Sequence, residues 1–127
     1  MDSILVSRRK GVNMIIAVDF DGTVVEHKFP EIGDELPGAI YTLRALQKAG
    51  HYIIIWTCRN LTEPMPFYNM IDWFRSKRFE PDNINSNYPL LTFQPSPKIY
   101  ADIYIDDRNF GGFPGWDKIR KDLLNEK

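Results

Sequence analysis

The chain has 127 residues, a length that fits one domain with a single core. An apolar fraction of 43% argues against disorder, and a net charge of −1 lacks the basic excess of non-specific nucleic-acid binders. A single cysteine excludes an intramolecular disulfide, and no apolar run approaches the roughly 18 residues of a membrane span. We therefore predict a soluble cytoplasmic protein with no membrane partner, for which nucleic acid is a partner only as substrate.

Strands and helices are predicted to alternate after a tail without clear periodicity at residues 1–13. Continuous apolar runs predict buried strands at 14–18, 51–57 and 101–106. Helical periodicity predicts helices at 37–50, 64–78 and 116–125. The proline-rich stretch 79–97 can hold only short strands, around Ile84 and at 90–93. This order predicts an α/β fold in one domain, residues 14–127: a doubly wound, mainly parallel sheet with helices on both faces.

Three of the predicted strands end in polar residues. The first ends in Asp19 and Asp21, the second in Thr57, and the last in Asp106 and Asp107. Because ligands of open parallel sheets bind beyond the carboxyl ends of the strands, these side chains are predicted to form the floor of a site.

Four carboxylates at one rim would repel each other strongly, and a hard divalent cation relieves that repulsion. Mg²⁺ is the predicted cofactor because it binds one or two carboxylates together with water and phosphate oxygens. Lys98, just upstream of the last strand, and Thr57 supply a positive charge and a hydroxyl suited to a phosphoryl group. These residues together predict phosphoryl transfer, with a carboxylate available as nucleophile.

The same residues resemble four motifs of the haloacid dehalogenase (HAD) superfamily, in that family's order. "DFDGTVV" is similar to its first motif, "IIIWT" to its second, Lys98 to its third and "IYIDD" to its fourth. The resemblance implies a phosphoric monoester hydrolase in which Asp19 attacks phosphorus and forms an aspartyl phosphate. It also implies that Asp21 moves protons and offers its main-chain carbonyl to Mg²⁺.

In the same family pattern, Thr57 and Lys98 hold the phosphoryl oxygens, and Asp106 or Asp107 completes the metal site. The intervals between the motifs leave no room for a cap domain, so the resemblance is to a small capless member with an open site. Such members often act on phosphorylated macromolecules or assemble as homo-oligomers, and both remain open here. The loop at residues 26–36 is where a flap would reach the substrate.

Several alternatives follow from the same residues. Arg59 is predicted either to bind the substrate phosphate or to pair with a local carboxylate. By its chemistry, Lys77 or Lys118 could also hold the phosphoryl oxygens, and only the order of the motifs favours Lys98. A phosphotransferase, or a nucleotide or polynucleotide phosphatase, would use the same mechanism. A receiver-like phosphoacceptor domain also combines acids, Thr and Lys, but its phosphorylated Asp lies at a later strand.

Overall fold

A computed structural model describes residues 13–93 and 97–125 as an all-parallel sheet with three helices. In chain order the elements are β1 (Ile15–Val18), α1 (Ala39–Lys48), β2 (Tyr52–Ile55), α2 (Pro64–Ser76), β3 (Asn83–Ile84), β4 (Ile103–Ile105) and α3 (Trp116–Leu124). The sheet order is β3-β2-β1-β4. The predicted α/β fold with a parallel sheet and no cap domain is confirmed. The tail predicted at residues 1–13 lies outside the described residues apart from Asn13.

Two differences from the predicted elements have a physical reason. The stretch 90–93, predicted as a short strand, is irregular. Proline has no backbone N–H for a sheet ladder, and Pro89 precedes this stretch directly. Arg78, the last residue of the helix predicted at 64–78, lies beyond the end of α2, and its positive φ of 55° does not fit a right-handed helix.

Alternation along the strands divides the core into two clusters, one on each face of the sheet. Ile16 and Val18 of β1 point to one face, where all three helices contribute buried residues. Ile15 and Ala17 point to the other, where Tyr88, Ile99 and Ala101, which lie between β3 and β4 in the chain, cover the strands. Helices were predicted on both faces; in the part of the chain that the structure describes, the proline-rich crossover from β3 to β4 covers the second face instead.

The sheet order places β1 between β2 and β4, so the chain departs to one side of β1 and later returns on its other side. This arrangement creates a topological switch point at the carboxyl end of β1, where ligands of open parallel sheets bind. The residues that follow β1, β2 and β4 therefore meet at one edge. The longest helix within the described ranges has 13 residues, and none is long and apolar enough to cross a membrane.

Candidate active site

Three carboxylates converge at the carboxyl ends of β1 and β4. Asp19, Asp106 and Asp107 each offer an oxygen, and these oxygens all lie within 4.8 Å of one another. The pairing of β1 with β4 continues past β1, because Asp19 N donates to Ile105 O at 2.9 Å. That continuation brings Asp19 alongside the two acids that follow β4, as the strand ends predict.

The cluster raises the pKa of Asp19 from 3.8 to about 7. Burial is the largest cause, followed by the charge of Asp106 and a hydrogen bond and charge from Asp107, while a backbone hydrogen bond from Phe20 opposes them. The Asp19 carboxyl group therefore tends to keep a proton near neutral pH, unless a cation in the cluster replaces that proton. A set of carboxylate oxygens at this spacing suits a hard cation such as Mg²⁺, so the residues present fit the predicted cofactor.

Thr23 connects the two strand ends through its hydroxyl group. Its Oγ1 lies 3.3 Å from Asp19 Oδ2 and 3.4 Å from Asp107 Oδ1, and it accepts a hydrogen bond from Asp107 N at 3.0 Å. Thr23 is fully buried, and its carbonyl accepts a hydrogen bond of 2.8 Å from Trp116 Nε1 of α3. The last helix thus anchors the loop that carries the carboxylate cluster.

Gly22 allows Asp107 to pack against this loop. Its φ is +87°, and a Cβ at this position would lie 2.3 Å from Asp107 Oδ2. The chain therefore needs glycine here both for its left-handed backbone and for the space that Asp107 occupies.

We expect Gly22→Ala to weaken Mg²⁺ binding, measured by calorimetry, by about tenfold or more, because Asp107 must move out of the cluster. The matched control is Gly112→Ala: Gly112 also has a positive φ, of +84°, but no atom lies within 4 Å of the added Cβ. Alanine at position 112 has the same strain from a positive φ, but its Cβ does not clash with any side chain. Equal Mg²⁺ affinities for the two variants would contradict a role for the Gly22–Asp107 contact.

Asp21 and Arg59 form a bidentate ion pair. Arg59 Nε donates to Asp21 Oδ2 and Arg59 Nη2 donates to Asp21 Oδ1, both at 2.8 Å. The Arg59 side chain has no exposed surface and that of Asp21 is 13% exposed. The pairing of Arg59 with a local carboxylate, one of its two predicted roles, is confirmed.

The remaining Arg59 donors hold the backbone of two neighbouring segments. Nη1 donates to Pro30 O and Pro66 O, and Nη2 donates to Glu31 O, at 2.9–3.2 Å. The guanidinium also lies over the rings of Phe20 and Phe29, at 5.3 and 5.0 Å. All five N–H groups of Arg59 thus have protein acceptors, so none remains for a phosphate in this conformation, and its substrate-binding role stays a prediction.

Thr57 is held at the end of β2 by its neighbours. Its backbone N donates to Asn85 Oδ1 at 2.8 Å, and its Oγ1 accepts a hydrogen bond of 3.1 Å from Arg59 N. The hydroxyl hydrogen is not used by this bond, so the side chain keeps a donor for a ligand.

Lys98 lines one cavity together with Asp19 and Asp106. The cavity measures about 280 Å³. Its other lining residues come from β1, from the residue after β2, from β4 and from the loop after β4: Ala17, Trp56, Tyr104, Ile105 and Asn109. The two alternative lysines have other partners, Glu35 at 3.6 Å for Lys77 and Asp122 at 2.8 Å for Lys118. A larger cavity of about 370 Å³, between α2 and β3, contains none of the predicted site residues.

Sequence analysis did not single out Thr23, Trp56, Asn85 or Trp116. A hydroxyl next to the Asp-x-Asp-Gly run was the available signal for Thr23, whereas Trp56 reads as the continuation of an apolar strand. Asn85 and Trp116 act through contacts at separations of 28 and 93 residues, which no local pattern reveals.

The fold and the carboxylate cluster define a small parallel α/β protein with a candidate cation site at its strand ends. No protein-family model matches the chain, and no curated protein matches it significantly. Among solved structures, it is similar to the structure of a conserved protein coded by a locus of Bacteroides thetaiotaomicron, with 43% identity and a TM-score of 0.78. The match covers 90% of this chain and 92% of that one. The chain therefore belongs to the same family as this Bacteroides protein. This similarity does not assign an activity to the chain.

Proposed function

We propose that the protein is a Mg²⁺-dependent phosphoric monoester hydrolase with an open, capless site, of the HAD type that its motifs resemble. The observation that carries the proposal is the convergence of Asp19, Asp106 and Asp107 within 4.8 Å, with Lys98 on the same cavity. Acids, a lysine and a threonine hydroxyl at the carboxyl ends of parallel strands match the needs of phosphoryl transfer. The substrate is a phosphorylated compound, and the setting proposed is a reducing cytoplasm, where the exposed Cys58 stays free.

Asp19, Asp106 and Asp107, with the main-chain carbonyl of Asp21, would hold Mg²⁺. When bound, Mg²⁺ supplies positive charge that offsets the cluster and the phosphoryl oxygens. Burial is the largest cause of the raised pKa of Asp19, and the charges of Asp106 and Asp107 add to it; a cation in the cluster would offset that added contribution.

In the proposed reaction, a carboxylate oxygen of Asp19 forms a bond to phosphorus while the bond from phosphorus to the leaving oxygen breaks. The product of this step is an aspartyl phosphate, and the leaving oxygen takes a proton from Asp21. Asp21 then removes a proton from water, which attacks phosphorus and releases phosphate and the Asp19 carboxylate. Thr57 and Lys98 stabilise the charge of the transferring oxygens.

The ion pair with Arg59 constrains the proposed role of Asp21. Both Asp21 oxygens accept hydrogen bonds of 2.8 Å from Arg59, so Asp21 can carry a proton only on the lone pairs that Arg59 leaves free. The orientation of Asp21 is therefore set by a buried guanidinium that also holds the flap backbone at Pro30 and Glu31.

The test is turnover of p-nitrophenyl phosphate by the purified protein. We expect hydrolysis with Mg²⁺ and at least a roughly hundredfold loss on chelation with EDTA, restored by added Mg²⁺. Added alcohols as acceptors distinguish a phosphotransferase from a hydrolase of the same mechanism. Absence of turnover on a broad panel of phosphate esters, together with absence of beryllofluoride binding at Asp19, would refute the proposal.

A further inference from the structure

A large aromatic surface lies exposed next to Asp19. Trp56 is 39% exposed, whereas Trp116 is 2% exposed. Trp56 lines the same cavity of about 280 Å³ as Asp19 and Lys98. The exposed part of the Trp56 side chain offers an aromatic surface to a ligand bound in this cavity.

The residues that directly follow three adjacent strands lie side by side: Trp56 after β2, Asp19 after β1 and Asp106 after β4. Trp56 N donates to Val18 O at 2.8 Å and Asp19 N donates to Ile105 O at 2.9 Å, so the parallel pairing continues past the strands on both sides of Asp19. Neighbouring strands lie about 4.8 Å apart. The indole is therefore one strand away from Asp19, on the side opposite Asp106.

The cavity combines two kinds of surface that favour different parts of one ligand. Lys98 and the carboxylate cluster form its polar part, where an anion with a cation would bind. Trp56 forms an aromatic part, and an indole stacks on planar rings. Asn109 also lines the cavity, and its Nδ2 donates to Tyr104 O at 3.2 Å.

We propose, resting on the proposed phosphatase function, that the substrate is a nucleotide whose phosphate lies at Asp19 and whose base stacks on Trp56. In a nucleotide a single sugar joins the base to the phosphate, which suits a phosphate site at Asp19 and a base site at Trp56 on the neighbouring strand. A sugar phosphate without a base would leave the Trp56 indole uncovered. The net charge of −1 gives no overall attraction for the backbone of a long nucleic acid, so we assign a mononucleotide as the ligand.

The first test compares two substrates that differ only in the base: adenosine 5′-monophosphate and ribose 5-phosphate. We expect the wild type to have the higher kcat/KM for the nucleotide. Trp56→Ala lowers the nucleotide value about tenfold to hundredfold more than the ribose 5-phosphate value. Trp56→Phe keeps an aromatic ring and retains most of the preference.

The matched control is Tyr68→Ala, which removes an exposed aromatic side chain of α2 that does not line this cavity. Tyr68 is 50% exposed, comparable to Trp56. We expect the ratio of the two kcat/KM values to stay at its wild-type level in this variant.

A binding measurement keeps the inference testable without turnover. The methylene phosphonate analogue of adenosine 5′-monophosphate cannot be hydrolysed, and with Mg²⁺ we expect it to quench the tryptophan fluorescence of the wild type. Trp56→Phe abolishes the quenching but retains binding by calorimetry, whereas Trp73→Phe retains both.

The outcomes separate this inference from the proposed function. Equal kcat/KM values for the two substrates, or an unchanged ratio in Trp56→Ala, overturn the base subsite and leave the phosphatase intact. A higher kcat/KM for 5′-phosphorylated oligonucleotides than for the mononucleotide overturns the mononucleotide assignment. Quenching at Trp56 without turnover of any phosphate ester and without beryllofluoride binding at Asp19 supports the subsite and refutes the phosphatase.

Discussion

Replacing Asp19 by asparagine is expected to reduce phosphate-ester turnover by about 10³-fold or more, because an amide cannot act as the nucleophile that forms the aspartyl phosphate. Turnover of p-nitrophenyl phosphate with Mg²⁺ measures the loss. The control is Asp122→Asn, which removes an exposed carboxylate of α3 that is paired with Lys118 at 2.8 Å. Retention of more than a tenth of the wild-type rate by Asp19→Asn would contradict a nucleophilic role.

The same variant is expected to be more stable than the wild type when no metal is present. Because the folded-state pKa of Asp19 is raised from 3.8 to about 7, the folded protein binds this proton more tightly than the unfolded chain. The free energy of unfolding of the wild type therefore falls between about pH 4 and pH 7 through this group, and Asp19→Asn removes the fall.

Since Asp19 is only partly buried and solvent screens its interactions, we expect a gain of roughly 1–2 kcal/mol at pH 7.5. Chemical denaturation in EDTA at pH 4.5 and pH 7.5 measures it, and the gain should nearly vanish at the lower pH. A gain of the same size at both pH values would show that the carboxylate charge is not its cause. Mg²⁺ should stabilise the wild type more than the variant.

Replacing Arg59 by methionine is expected to destabilise the fold by about 3–5 kcal/mol. The substitution leaves the Asp21 carboxylate, 13% exposed, without its bidentate partner. It also leaves the carbonyls of Pro30, Glu31 and Pro66 without the donors that hold them. Thermal and chemical denaturation of the purified variant measure the loss.

Two further variants identify the origin of that loss. The matched control is Arg75→Met on α2, where the arginine side chain is 79% exposed and lies 3.9 Å from Asp72, a pair expected to contribute less than about 1 kcal/mol. Adding Asp21→Leu to Arg59→Met should recover part of the stability, because no buried charge then remains unpaired. An equal loss from Arg59→Met and Arg75→Met would mean that the ion pair with Asp21 contributes nothing.

The parallel sheet and the meeting of the strand-end acids could be predicted because both depend on local patterns and one topological rule. Apolar runs such as the one ending at Val18 indicate buried strands, and parallel strands place their carboxyl ends at one edge. Lys98 could be predicted by its order in the chain, and the structure places it on the cavity of Asp19.

The rest depends on contacts that a linear pattern does not encode. Arg59 lies between Cys58 and Asn60, and nothing in this local sequence shows that its five donors are all used within the protein. Helices were predicted to cover the second face of the sheet because doubly wound folds usually have them there, but Pro89 and Pro97 oppose a helix between β3 and β4.

The hydrogen bond between Trp116 and Thr23 has a consequence for how the protein is made. Asp19 pairs with the backbone of Ile105, and the loop after Asp19 is held by Trp116, near the other end of the chain. Such contacts between distant residues raise the contact order of the fold and can form only after Ile105 and Trp116 have been synthesised. A ribosome-bound chain that ends before β4 holds Asp19 without its neighbouring strand. The carboxylates therefore gather only after β4 has been added, and until then the nascent chain is free of their mutual repulsion.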